Sequence, residues 1–164
     1  MKGCCTVFQI GDQVCYPMHG IGYIESIEQQ IILGEQQEYY VIRFTSGNVT
    51  AMVPVLNADS VGLRQLSDPD KCIQVEEYLR EGDIPEESDN WNQRYHDNLQ
   101  KLRTGDILIE AVVVKCLYRR NKEKGLSTGE KKMYQTARKV LIDELVQITG
   151  KDESVYLDLL EDGR

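Results

Sequence analysis

The lone tryptophan, Trp91, follows an acidic stretch (EGDIPEESDN, residues 81–90) and precedes Arg94, Lys101 and Arg103. An indole so placed can do one of two things. Buried, it anchors a helix in a core, because few side chains hide more apolar area. Exposed, it can lean into a nucleic-acid groove as an apolar wedge while nearby cations hold phosphates. Pattern alone favours the anchor and leaves the wedge open. The charge distribution bears on the choice. Net charge is −8, yet the segment 91–139 holds 12 basic residues against 5 acidic ones. The first 87 residues carry 5 basic and 14 acidic side chains, and Asp152, Glu153, Asp158, Glu161 and Asp162 crowd the C-terminal end. That asymmetry suits two different partners, one of them polyanionic, although a solvated basic helix face leaves the same pattern.

Other chemistry-bearing residues do not assemble into a site. Cys4 and Cys5 are adjacent, Cys15, Cys72 and Cys116 stand apart, and the histidines are His19 and His96. Structural zinc usually takes ligands in close pairs of the C-x-x-C kind, and no such pair exists, so no metal is expected. An odd, scattered set of cysteines argues for a reducing cytoplasm rather than a disulfide framework. The sequence lacks G-x-S-x-G, a Walker lysine loop, a dinucleotide fingerprint and H-E-x-x-H. Gly20-Ile21-Gly22 lacks the third glycine and reads as a strand bend or bulge. The chain is therefore read as a non-enzyme with no cofactor and no small-molecule substrate. No run approaches the roughly 18–20 apolar residues of a membrane span, and residues 1–6 have no apolar core behind them that would make a secretory signal.

These residues need elements to position them, and two kinds are visible. Residues 13–16, 21–27, 38–44 and 49–55 are short runs rich in Val, Ile, Tyr and Thr, separated by Pro17 and Gly20, by Gly34 and by Ser46-Gly47-Asn48. Four or five antiparallel strands in so few residues predict a small SH3-like barrel. A sheet that small leaves an edge able to accept a strand from another protein. From residue 67 the period becomes helical. Asp68-Pro69 opens a helix to about Arg80 that buries Ile73, Val75 and Leu79, with Asp68 as the cap. Trp91, Tyr95, Leu99 and Leu102 share one face of a second helix closed by Gly105. A third spans about 106–120, using Ile109, Val113 and Leu117. Ser127 and Glu130 form a capping box for a fourth that runs to about Thr149 and turns Met133, Ala137, Val140, Leu141, Leu145 and Ile148 inward. A short helix over 152–160 follows. The expected fold is α+β: a small antiparallel sheet domain over 8–66, then an all-helical domain of about five helices over 67–164.

At this point the motifs resemble a known family. The segment Asn90-Trp91-Asn92-Gln93-Arg94-Tyr95-His96-Asp97-Asn98-Leu99-Gln100-Lys101-Leu102 is similar to the N-W-x-x-R-Y-x-x-N-L-x-K-L signature of the CarD/CdnL transcription regulators. Arg119-Arg120, Lys124-Gly125-Leu126-Ser127 and Gly129-Glu130-Lys131 continue the likeness. So do Phe8-Gln9-Ile10-Gly11-Asp12, Val14, Tyr16-Pro17, His19-Gly20, Gly34-Glu35-Gln36, Glu38-Tyr39 and Val53-Pro54 in the first half. The resemblance runs colinearly over about residues 8–148.

The resemblance implies a Tudor-like N-terminal domain that binds the β subunit of bacterial RNA polymerase. It also implies a helical domain that lies on promoter DNA at the upstream edge of the melted region. There Trp91 would wedge into the distorted minor groove and stabilise the open complex, with Arg94, Arg119, Arg120, Lys131 and Lys132 towards phosphates. Polymerase would be met through the edge strand Val49, Thr50, Ala51, Met52 and Val53, with Gln30 beside it. Some relatives carry arginines where this chain has Gln30 and Met52, and more basic residues where it has Gln93 and His96, so the acidic first half here could meet a basic polymerase surface instead. Residues before Phe8 have no counterpart. Two rival readings remain. One is a protein–protein adaptor with Trp91 in its core. The other is a Tudor reader whose Tyr16, Tyr39, Tyr40 and Phe44 cage a methylated cation, which strand alternation opposes.

Overall fold

The structure, a computed structural model, describes residues 7–162. The readings on Cys4, Cys5 and the N-terminal segment lie outside the described residues. Five antiparallel strands form one sheet in the order β4-β3-β2-β1-β5: β1 Gln13–Tyr16, β2 Gly20–Ile32, β3 Glu35–Phe44, β4 Thr50–Pro54 and β5 Arg64–Gln65. Alternation decides which face is buried. Ile24, Tyr40, Ile42, Phe44 and Val53 turn to one side and pack with Phe8, Val14 and Leu63. Burying aromatic and branched side chains of this size stabilises by about 1.5–3 kcal/mol apiece. Phe8 fixes the entry of the chain, its backbone N–H donating to the Tyr40 hydroxyl at 3.1 Å while the two rings meet edge to face.

The β2–β3 hairpin is longer than the expected strands, 21–27 and 38–44, because its turn is tighter than glycine alone announces. Leu33 and Gly34 both adopt positive φ, 53° and 80°, and Ile32 pairs with Glu35. That two-residue turn continues the pairing through residues 28–37, which have no apolar alternation to reveal it. The bulge falls between Ile24 and Ser26, after the Gly20-Ile21-Gly22 segment. β4 starts one residue later than expected and stops at Pro54, which has no N–H to extend a ladder.

The helices are α1 Pro69–Glu81, α2 Trp91–Leu102, α3 Ile107–Glu123, α4 Thr128–Thr149 and α5 Glu153–Asp162. Most of their starts follow the cap chemistry. Asn90 accepts from the N–H groups of Asn92 and Gln93, Asp106 from those of Leu108 and Ile109, and the Ser127–Glu130 capping box closes in both directions. Asp68 is an exception: Pro69 does occupy the first helical turn, but the Asp68 side chain makes no cap hydrogen bond. The inward face of α1 is Cys72, Val75 and Leu79, at spacings of three and four, while Ile73 is 54% exposed. Ile73 sits about 100° round the helix from Cys72, outside that stripe. The bundle core is built on Val75, Ile107, Val114, Leu117, Leu141, Leu145 and Tyr156. Ile109 and Ile148, expected inside, are half-buried.

The sheet and the bundle meet across a polar joint. Arg64 on β5 forks onto Glu144 of α4 at 2.7 and 2.8 Å, and Ser67 N–H donates to the same carboxylate at 2.8 Å. Glu110 of α3 stands 4.0 Å from Arg64. Beside this cluster Gly62 has φ of 77°, and a side chain there would bring Cβ within 2.5 Å of the Arg103 carbonyl oxygen. Only glycine lets the two halves approach so closely. Met18, from the β1–β2 turn, packs into the helical core.

Candidate functional site

Trp91 occupies the first position of α2 and is 55% exposed. The periodic face read from the sequence is real for Tyr95 and Leu99, which are half-buried, and for Leu102, which is buried. Its first member falls beyond the end of the packing. Asn90 caps the helix directly before the indole, with its side chain accepting from Asn92 N–H at 2.9 Å and Gln93 N–H at 3.2 Å. The cap fixes the backbone turn from which the indole projects.

Arg94, expected to reach phosphate, does something else. It is 4% exposed. Its Nε and Nη2 donate to the two oxygens of Glu130 at 2.7 and 3.0 Å, and its Nη1 donates to the Ser88 carbonyl at 3.0 Å. Glu130 also accepts from the Ser127 N–H and hydroxyl. Burial alone would raise the Glu130 carboxyl, but the hydrogen bonds from Arg94 and Ser127 outweigh it and hold its pKa below the ordinary value. The reading of Arg94 as a phosphate contact is therefore corrected. Its guanidinium is spent inside the protein, clamping the end of the acidic loop and the first turn of α2 to the first turn of α4. Gly129 completes the contact, close enough to the Tyr95 ring for an added Cβ to lie 3.4 Å from it.

Two exposed cations follow Glu130 directly in the chain. Lys131 and Lys132 stand on the first turns of α4, exposed, and neither forms an ion pair among the described residues. The other predicted pair divides. Arg120 is half-buried with its Nε lacking a protein hydrogen-bond partner. Arg119 is exposed, lies 3.9 Å from Glu123 one turn on, and lines a cleft with Arg80, Tyr118 and Lys122 towards the end of α5. That cleft is built from α1, α3 and α5.

Several residues that matter here were missed. Glu130 was noticed only as a cap, although a buried carboxylate in a capping box needs a cation. Lys115 is buried and donates to the carbonyls of Tyr78 and Gly82 at 2.9 and 2.8 Å, fixing where the acidic loop leaves α1. Burial lowers its pKa. Neither interaction has a local sequence signal, since the partners lie more than thirty residues apart.

The docking residues gather on the far side of the sheet. β4 pairs only with β3 and is an edge. Thr50 and Met52 turn outward, Ala51 and Val53 inward, and Val53 is buried, so it can offer a partner only its backbone. Val49 is exposed and precedes the strand. Gln30 and Met52 lie side by side, amide nitrogen to sulfur 3.8 Å. The aromatic cage does not form: Tyr40 and Phe44 are core, Tyr39 points to the opposite face from Tyr40, and Tyr16 stacks on His19. Among the described residues no group of three or more His, Cys, Asp or Glu is placed to hold a metal, and no helix is long and apolar enough to cross a membrane.

A small antiparallel sheet followed by a five-helix bundle that holds a tryptophan out at a helix start defines a two-part protein. Residues 8–67 match the CarD-like/TRCF RID domain, and residues 74–161 match the CarD C-terminal domain. The chain is also 43% identical over 150 residues to the Bacillus subtilis (strain 168) protein named "Putative transcription factor YdeB", covering 90% of this chain and 95% of that one. The chain belongs to the CarD family of transcription factors.

Proposed function

We propose that the protein binds the β subunit of bacterial RNA polymerase with a sheet domain over residues 8–66 and promoter DNA with a helical domain over 67–164, and so stabilises the open complex in the bacterial cytoplasm. The observation that carries this reading is Trp91, an exposed indole on a helix start pinned by Asn90 and by the Arg94–Glu130 pair. An unburied tryptophan on a rigid mount is what a wedge into a distorted groove requires. Lys131 and Lys132 supply phosphate contacts beside it, and Arg119 and Arg120 supply further ones. Arg94 positions the wedge without touching DNA. The edge strand, residues 49–53, with Gln30 beside Met52, pairs with polymerase through backbone hydrogen bonds.

The mechanism is a shift of equilibrium. A protein that binds the opened promoter more tightly than the closed one favours opening by that difference in affinity and no more. Contacts to phosphates and to a deformed groove carry no base code, so action at many promoters follows. The test uses the full chain with polymerase holoenzyme on a linear promoter fragment, timing the decay of open complexes after a heparin challenge. A longer lifetime in its presence supports the reading. An unchanged lifetime, with polymerase still bound, favours the adaptor that does not touch DNA.

A further inference from the structure

The loop between α1 and α2, residues 82–90, carries Asp83, Glu86, Glu87 and Asp89 and no lysine or arginine. Two buried cations hold it, and both serve its backbone rather than its carboxylates. Lys115 donates to the Gly82 carbonyl at 2.8 Å, where the loop begins. Arg94 donates to the Ser88 carbonyl at 3.0 Å, near its end, and keeps its other nitrogens for Glu130. The Tyr78 hydroxyl adds a hydrogen bond to the Asp83 carbonyl at 2.9 Å. None of the four acids forms an ion pair among the described residues, and Asp83, Glu86 and Asp89 are exposed. Tied at both ends, the loop carries its charges along a set course.

That course follows the helix that presents Trp91. Glu86 and Glu87 line a small hollow with Arg94, Asn98 and Lys101 of α2, and the buried Asn98 donates to Glu87 at 3.5 Å. Lys101 shares the hollow with Asp97, so the excess charge there is negative. Arg94, Asn98 and Lys101 fall within about 80° of Trp91 round the helix, so the loop covers the face that the indole begins. Asp89 is closer in the chain. Its Cα is two residues from that of Trp91, hence within about 7 Å of it. The Debye length at physiological salt is about 8 Å, so this charge is incompletely screened at the indole. A duplex brought against Trp91, with a phosphate charge for about every 1.7 Å of its axis, meets carboxylates that nothing neutralises.

We propose that the acidic loop sets the DNA specificity of Trp91: its carboxylates repel ordinary duplex, so the indole engages only DNA that polymerase already holds beside it. The proposal rests on the wedge reading above and adds a repulsive element to it. Juxtaposed like charges cost affinity, and rejecting the wrong partner discriminates as well as attracting the right one. Docking through the sheet raises the effective concentration of promoter DNA, which overcomes the repulsion. Free duplex receives no such help, and a wedge kept off it stays available to polymerase.

The experiment titrates the full-length protein with a short duplex of no promoter sequence at several salt concentrations. Trp91, the only tryptophan, reports contact through its emission. Asp83→Asn/Glu86→Gln/Glu87→Gln/Asp89→Asn is set against Glu28→Gln/Glu35→Gln/Glu38→Gln/Asp59→Asn, an equal charge change on exposed acids of the sheet half. The loop variant should bind about tenfold more tightly than the wild type at low salt, with its indole quenched, and lose that advantage as salt rises. The sheet variant should stay within about twofold of the wild type. No gain in the loop variant, an equal gain in the sheet variant, or a gain with unchanged indole emission overturns the proposal. The titration involves no polymerase, so it decides the proposal even where the open-complex lifetime refutes the wedge reading.

Discussion

Arg94 on α2 and Glu130 on α4 form a buried fork-to-carboxylate pair, 2.7 and 3.0 Å long, and through it the first turn of α2, which carries the exposed Trp91, is tied to the first turn of α4. One carboxylate thereby serves as the partner of a capping box and the counter-ion of a neighbouring helix. Removing one member of such a pair leaves a buried charge uncompensated, which is strongly destabilising.

Arg94→Ala should therefore lower stability by about 3–5 kcal/mol. Thermal or urea melts measure it. The same variant, at a temperature where it is folded, should keep the wild-type salt slope for DNA. A normal melt with a slope reduced by about 0.9 would put Arg94 on a phosphate after all.

Lys131→Gln and Lys132→Gln should behave in the opposite way. Both side chains are exposed, so stability should change by no more than about 0.5 kcal/mol. Each substitution should reduce the slope of log affinity against log salt by about 0.9 on duplex DNA. Titrations at three or four salt concentrations suffice, and parallel lines for wild type and variants would remove these lysines from the interface.

The joint between sheet and bundle should titrate. Arg64 is committed to Glu144, which leaves Glu110 as a second buried acid in reach of one cation. Burial first, and the Glu144 charge second, push the Glu110 carboxyl from 4.5 up to about 8, against the pull of Arg64. A folded-state value above the unfolded one means the stabilising form is protonated. Its contribution is whole below about pH 4.5 and is lost as pH rises through about 8. Glu110→Gln, a neutral isostere, should remove that loss, so the variant gains on the wild type between pH 5 and about 9. Urea melts across this range check it, and a constant difference between the two proteins would contradict it.

Much of the architecture was legible because it is written locally. The short apolar runs at 21–27, 38–44 and 49–55, Pro69 at a helix start, and the Ser127–Glu130 box each involve residues within a few positions of one another. What the sequence hid falls into two kinds. Arg64 and Glu144 lie eighty residues apart, and Arg94 and Glu130 thirty-six, so only the tertiary fold joins them. The exposure of Trp91 was hidden differently. Its spacing to Tyr95 and Leu99 is that of a core residue, yet it stands at the first position of α2 and is 55% exposed.

Trp91→Ala tests the central claim most directly. The indole is more than half exposed, so its loss should leave the melting temperature nearly unchanged, within the roughly 0.5 kcal/mol usual for surface sites. Polymerase binding, placed on the sheet, should persist. The measurement is the rate at which heparin-challenged open complexes decay with wild-type or variant protein present. The account predicts that the variant, folded and still bound to polymerase, no longer slows the decay. A decay as slow as with the wild type, or a large fall in melting temperature, would contradict it.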